Sequence, residues 1–171
     1  TRDENAMQNI PHGPWYYEQI KLGFNYRMTD IQAALGISQM NRLDSFIQKR
    51  HEISKRYNEY FQDLPAIKLP YQNKDSYSSL HLYVIRVNNS VSKADHKQLF
   101  NYLRKNNIGV NIHYIPIYRQ PYYSKYGFKF SDFPESEKYY SEAISIPIYP
   151  DLNQESQEFV YELIKSQVGN S

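Results

Sequence analysis

From residue 30 to residue 64 apolar side chains return at helical spacing: Ile31, Ala34, Leu35, then Leu43, Phe46, Ile47, Ile53, Tyr57, Tyr60, Phe61 and Leu64. The opposite face carries Gln48, Lys49, Lys55 and Glu59, and Pro65 closes the pattern. This predicts one long amphipathic helix, straight or bent, with a single apolar stripe to bury. Such a helix needs a second layer to cover the stripe, so the chain after Pro65 must supply it. The small side chains of Ala33, Ala34 and Gly36 also permit another backbone to come close, in the same chain or in a neighbouring subunit.

The rest of the chain offers that layer. Residues 79–87, with Leu80, Leu82, Val84, Ile85 and Val87, read as a largely apolar strand placed centrally in its sheet. A helix over 92–106 follows, with Leu99, Phe100 and Leu103 inward and Asn106-Asn107 as its stop. A second strand over 108–114 delivers His113 and Tyr114 to a loop that Pro116 and Pro121 keep out of regular helix. Pro134 opens a short helix running to about Ala143, and 145–150 reads as a short edge strand, since Pro147 and Pro150 cannot donate to a ladder. Asn153 caps a last helix over 154–167, with Phe159, Val160, Leu163 and Ile164 as its stripe. The fold class is α/β or α+β: a long helix, then a short sheet with helices on one face.

Composition excludes several classes of function. A net charge of +2 with 22% charged residues gives no basic field for nucleic acid. No cysteine is present, so disulfides, thiolate metal sites and Cys nucleophiles are all removed, which fits the cytoplasm. No apolar run reaches the roughly 18 residues of a membrane span, and the polar first residues have no signal-peptide core, so no membrane is expected. The 18 Tyr against 8 Phe and 1 Trp favour subunit interfaces and ligand clefts. The first 18 residues read as a looping arm pinned by Trp15-Tyr16-Tyr17.

Two stretches concentrate chemistry. Residues 23–30 set a permissive Gly23 before an amide, a phenol and a guanidinium on Asn25, Tyr26 and Arg27, and then a Thr29-Asp30 pair suited to capping a helix. Asp30 is read as a charge at the helix dipole. His113 ends a strand, where an imidazole can position a polar group. His12, His51, His81 and His96 show no metal-ligand spacing, and no phosphate-loop glycine pattern, nucleophile elbow or paired carboxylate is present. From the residues alone, the chain is an α/β domain with an aromatic-rich site made of the Asn25 loop and the His113 loop.

Residues 23–36, Gly-Phe-Asn-Tyr-Arg-Met-Thr-Asp-Ile-Gln-Ala-Ala-Leu-Gly, resemble the corresponding stretch of the DegT/DnrJ/EryC1/StrS sugar-nucleotide aminotransferases, which are fold-type-I pyridoxal-phosphate enzymes. The stretches 80–86, 109–116, 120–123, 133–137 and 144–150 follow in family order, so the resemblance covers nearly the whole chain. Residues 14–18 and 113–116 particularly resemble the branch that aminates a UDP-linked 4-keto-6-deoxy-N-acetylhexosamine, with glutamate as donor, on the way to pseudaminic acid. The resemblance implies a small C-terminal domain over 65–171, a linking helix over 29–64, and an arm with a cofactor-phosphate contact loop over 1–28. It implies a homodimer with shared active sites, in which Asn25 reaches the pyridoxal 5'-phosphate of the other subunit. It implies substrate contacts from Tyr26 and Arg27, and a sugar pocket lined by His113 and Tyr114, with Tyr118 and Tyr123 on the same wall.

The family's Schiff-base lysine lies upstream of this stretch, and no lysine from Lys21 to Lys165 has its setting. No catalytic residue is therefore assigned here. The chain is expected to be the C-terminal part of a longer enzyme and inactive alone. A sugar-nucleotide-binding module and a pure dimerisation module stand as alternatives.

Overall fold

The computed structural model describes residues 1–11, 13–24 and 26–169. Thr1–Asn41 and Arg42–Ser171 form two compact units. In the first, residues 4–6 make one 3-10 turn and α1 spans Asp30–Met40. In the second, α2 (Leu43–Phe61), β1 (Ile67–Lys68), β2 (Tyr83–Val87), α3 (His96–Lys105), α4 (Pro121–Ser124), α5 (Pro134–Glu142), β3 (Ala143–Ile146) and α6 (Gln154–Val168) follow in order.

The long helix expected over 30–64 is two helices. The Asn41 N–H closes α1 on the Ile37 carbonyl, and the Arg42 carbonyl opens α2 by accepting from Phe46 N–H. The two helices also differ in what they bury. α1 has no buried residue, whereas α2 buries Ile53, Tyr57 and Phe61. α3 starts at His96 and not at Ser92, whose hydroxyl donates to the Ala94 carbonyl at 2.6 Å. Asp95 and Gln98 complete a reciprocal capping box instead.

The sheet is antiparallel, in the order β1-β2-β3, so β2 is central. Its register sets Val87 against Ile67, Ile85 against Ile144 and Tyr83 against Ile146. Because strand side chains alternate, these six share one face. Onto them converge Ile53, Tyr57 and Phe61 of α2, Leu99 and Leu103 of α3, and Val160, Ile164 and Val168 of α6. Burial pushes the Tyr57 and Tyr83 phenols well up from their ordinary pKa, and each hydroxyl has a partner: Pro147 O at 3.1 Å and Asn58 Oδ1 at 2.6 Å. Those bonds are what lets two phenols sit in an apolar core.

The other face carries Lys68, Arg86 and Ser145 alongside Val84 and Ala143. Glu142, the last residue of α5, accepts from Arg86 Nη2 at 2.7 Å and lies 3.5 Å from Lys68 Nζ. The strand expected over 108–114 is reduced to a single bridge between Asn111 and Ser145. The segment expected as an edge strand over 145–150 begins earlier, at Ala143, and pairs only as far as Ile146. Pro147 ends it, as a residue without an N–H must. No helix among the described residues is long and apolar enough to cross a membrane.

Candidate functional site

The candidate residues fall into the two units, and each group is described within its own. In the first unit, Asn25 and His12 lie outside the described residues. Tyr26 is 88% exposed and stacks on Phe24 with ring centroids 5.2 Å apart. Arg27 lines a shallow polar cleft with Thr1, Arg2 and Tyr17. Immediately after it, Thr29 and Gln32 form a capping box, which fixes where the loop ends and α1 begins. The arm before the loop is drawn together by one carboxylate. Glu18 accepts from the backbone N–H groups of Gln8 at 2.7 Å and Asn9 at 2.8 Å, and from the Tyr16 hydroxyl at 2.7 Å. These bonds, that from Gln8 foremost, hold the Glu18 pKa down at about 2.

In the second unit, the bridge from Asn111 to β3 carries the chain to His113, whose Nδ1 lies 2.7 Å from Ser145 Oγ. Tyr114, 72% exposed, meets the His113 ring edge to face at 4.7 Å. The following turn, Ile117–Arg119, is clamped from α5: Glu137 accepts from the Tyr118 hydroxyl and from Arg119 Nε, both at 2.9 Å, and also from Arg119 Nη2. Tyr118 stacks on Phe133 at 4.4 Å, while Arg119 lies over the Phe130 and Tyr140 rings. Partial burial and then the bond to Glu137 push the Tyr118 phenol up, and the Arg119 bond holds the Glu137 carboxyl below its usual range. Tyr118 therefore spends its hydroxyl inside the loop. Tyr123 lies on α4 between Tyr122, at 5.1 Å, and Tyr126, at 6.2 Å.

The structure thus groups His113, Tyr114, Tyr118 and Tyr123 along one loop system anchored to β3 and α5. Sequence reasoning missed the anchors Ser145, Glu137 and Glu18. Ser145 did carry a signal, because a lone hydroxyl between Ile144 and Ile146 marks the opposite parity of an otherwise apolar strand. Glu137 and Glu18 carried none, since a carboxylate on a polar surface looks alike whether or not it gathers donors.

An amide, a phenol and a guanidinium on consecutive residues ahead of a helix are donors suited to a phosphate. A phenol-lined loop with a fixed imidazole suits a polar organic ligand. The second unit's small antiparallel sheet backed by helices is a fold shared with solved fold-type-I aminotransferases. The chain belongs to the DegT/DnrJ/EryC1/StrS aminotransferase family, whose profile matches residues 4–165.

It is 36% identical over 159 residues to the spore coat polysaccharide biosynthesis protein SpsC of Bacillus subtilis, covering 92% of this chain and 41% of that protein. It is 32% identical over 155 residues to the UDP-4-amino-4,6-dideoxy-N-acetyl-beta-L-altrosamine transaminase of Campylobacter jejuni, covering 89% of this chain and 40% of that protein. Among solved structures, Helicobacter pylori PseC, an aminotransferase of pseudaminic acid biosynthesis, superposes with a TM-score of 0.79 at 28% identity, over 93% of this chain and 42% of PseC. The chain thus spans about 40% of the length of these relatives. Asn25, the residue expected at the phosphate of pyridoxal phosphate, lies outside the described residues, while its sequence neighbours Tyr26 and Arg27, expected at the substrates, are placed as described above.

Proposed function

We propose that this chain is the C-terminal portion of a pyridoxal-phosphate-dependent aminotransferase that moves an amino group from glutamate to a UDP-linked 4-keto-6-deoxy sugar in a cell-surface glycan pathway of the cytoplasm. The observation that carries this reading is the unbroken family match over residues 4–165, together with relatives that are nucleotide-sugar transaminases. By itself the chain does not transaminate, because none of its lysines has the family setting.

Bound pyridoxal phosphate supplies the electron sink through which an amino group is exchanged. Asn25 contributes an amide donor to the cofactor phosphate of a partner subunit. Arg27 pairs with a carboxylate or phosphate of the substrates, with Tyr26 beside it. His113 and Tyr114 line the sugar pocket, while Tyr118 and Tyr123 form its aromatic wall. The dimer is supported by α1, whose Ile31 and Leu35 are 83% and 62% exposed. Apolar side chains of that size on an otherwise unburied helix suit a subunit contact.

The test joins the chain to the sequence upstream of Thr1 in its reading frame and supplies glutamate with a UDP-linked 4-keto-6-deoxy-N-acetylhexosamine. The expected product is the 4-amino sugar. Asn25→Ala is expected to weaken cofactor affinity ~10- to 100-fold, the loss of one hydrogen bond to a charged group. Failure to aminate any nucleotide-linked keto sugar would overturn the reading.

A further inference from the structure

The bond between His113 and Ser145 says more than proximity. Ser145 is 5% exposed and sits on β3 with both backbone groups engaged: its N–H donates to Asn111 O at 2.8 Å, and its carbonyl accepts from Asn111 N–H at 3.3 Å. Among the described residues, the one hydrogen-bond partner of its hydroxyl is His113 Nδ1, at 2.7 Å. A buried hydroxyl hydrogen needs an acceptor. If Nδ1 carried a hydrogen and donated, the Ser145 hydrogen would be left without one. The satisfied arrangement is therefore Ser145 Oγ–H donating to an unprotonated Nδ1, and a neutral ring of that kind carries its hydrogen on Nε2.

We propose that Ser145 is a positioning residue that fixes the tautomer and orientation of His113, so that Nε2–H is the donor this loop presents. Tyr114, edge to face against the same ring, limits its rotation from a second direction. Resting on the sugar-pocket reading above, the recipient of Nε2–H is an oxygen of the nucleotide sugar, a hydroxyl or carbonyl that accepts. Ser145 never touches the ligand and acts only through the imidazole.

The experiment measures the two ring-nitrogen shifts of His113 by long-range proton–nitrogen NMR on the chain labelled at histidine. It is run at about pH 8.5, above the ordinary imidazole titration. Three proteins are compared: the unsubstituted chain, Ser145→Ala and Ser145→Thr, with circular dichroism showing that each is folded. The expected result is an Nε2–H pattern in the unsubstituted chain more complete than in a histidine peptide. It collapses toward the peptide pattern in Ser145→Ala and returns in Ser145→Thr, which restores the hydroxyl. An Nδ1–H pattern in the unsubstituted chain overturns the proposal, as does a folded Ser145→Ala with unchanged shifts.

Adding UDP-N-acetylglucosamine to the protein joined to its upstream sequence then tests the pocket assignment. Tautomer behaviour as expected, with no response of His113 to the nucleotide sugar, would support the role of Ser145 and contradict the pocket assignment instead.

Discussion

Glu18 and Glu142 show what single carboxylates do in this chain. Glu18 is half-buried and gathers two backbone N–H groups and a phenol, which lowers its pKa to about 2 from the roughly 4.3 of an unperturbed glutamate. A depressed carboxylate stabilises its surroundings above its unfolded pKa, and the contribution is lost as pH falls through the folded value. The Gln8 and Asn9 amide resonances are therefore expected to hold their positions from pH 7 to about pH 4, then move to random-coil values as pH falls toward about 2. Movement centred near the ordinary glutamate pKa would show that the arm is not held this way. Glu142 is the opposite case, nearly buried between Arg86 and Lys68. Glu142→Ala strands the half-buried Arg86 guanidinium and is expected to cost about 2 kcal/mol in urea unfolding, below the figure for a fully buried pair because water reaches both cations. A cost near zero would contradict the clamp.

At the scale of elements, α1 and α2 make the sharpest contrast. An isolated helix as short as α1 is marginal in water, and α1 has no buried residue to support it. Hydrogen exchange of the monomeric chain is expected to be fast across Asp30–Met40 and slow across Ile53, Tyr57 and Phe61 in α2; equal protection would contradict the description of α1. In α3, Asp95→Ala removes the capping box and is expected to cost about 1 kcal/mol, whereas Ser92→Ala is expected to leave the helix intact.

These contrasts also mark what was legible in the sequence. β2 was readable in part: its apolar run marked the strand, but the strand starts at Tyr83 and not at Ser79, and Leu80 takes a φ of 48° outside the extended region. α6 was readable from its cap Asn153 and from Val160 and Ile164, whereas Phe159 faces out at 53% exposure and Gln157 and Val168 are buried. The break at Asn41-Arg42 was not, because apolar spacing on both sides continues without a Gly or Pro to interrupt it. The 108–114 strand was over-read: β-branched residues around Gly109 can pair, but only Asn111 finds a partner. His113 stood out by residue type and position; Ser145 showed only its parity on the strand, and its pairing with His113 became visible once the bridge from Asn111 placed the two together.

At the scale of the whole molecule, the second unit carries its own core and the loop bearing His113, while the first ends in α1, whose Ile31 and Leu35 are exposed. The stretch that this chain matches makes up 40–42% of relatives about 2.3 times its length. We propose that this stretch holds substrate and cofactor phosphate while a lysine elsewhere in the enzyme performs the covalent step. The most direct measurement treats the chain, alone and joined to its upstream sequence, with pyridoxal phosphate and borohydride, and then maps the modified peptides. No stoichiometric adduct is expected between Thr1 and Ser171, and one adduct is expected on an upstream lysine in the joined protein. A stoichiometric adduct on a single lysine of this chain would contradict it.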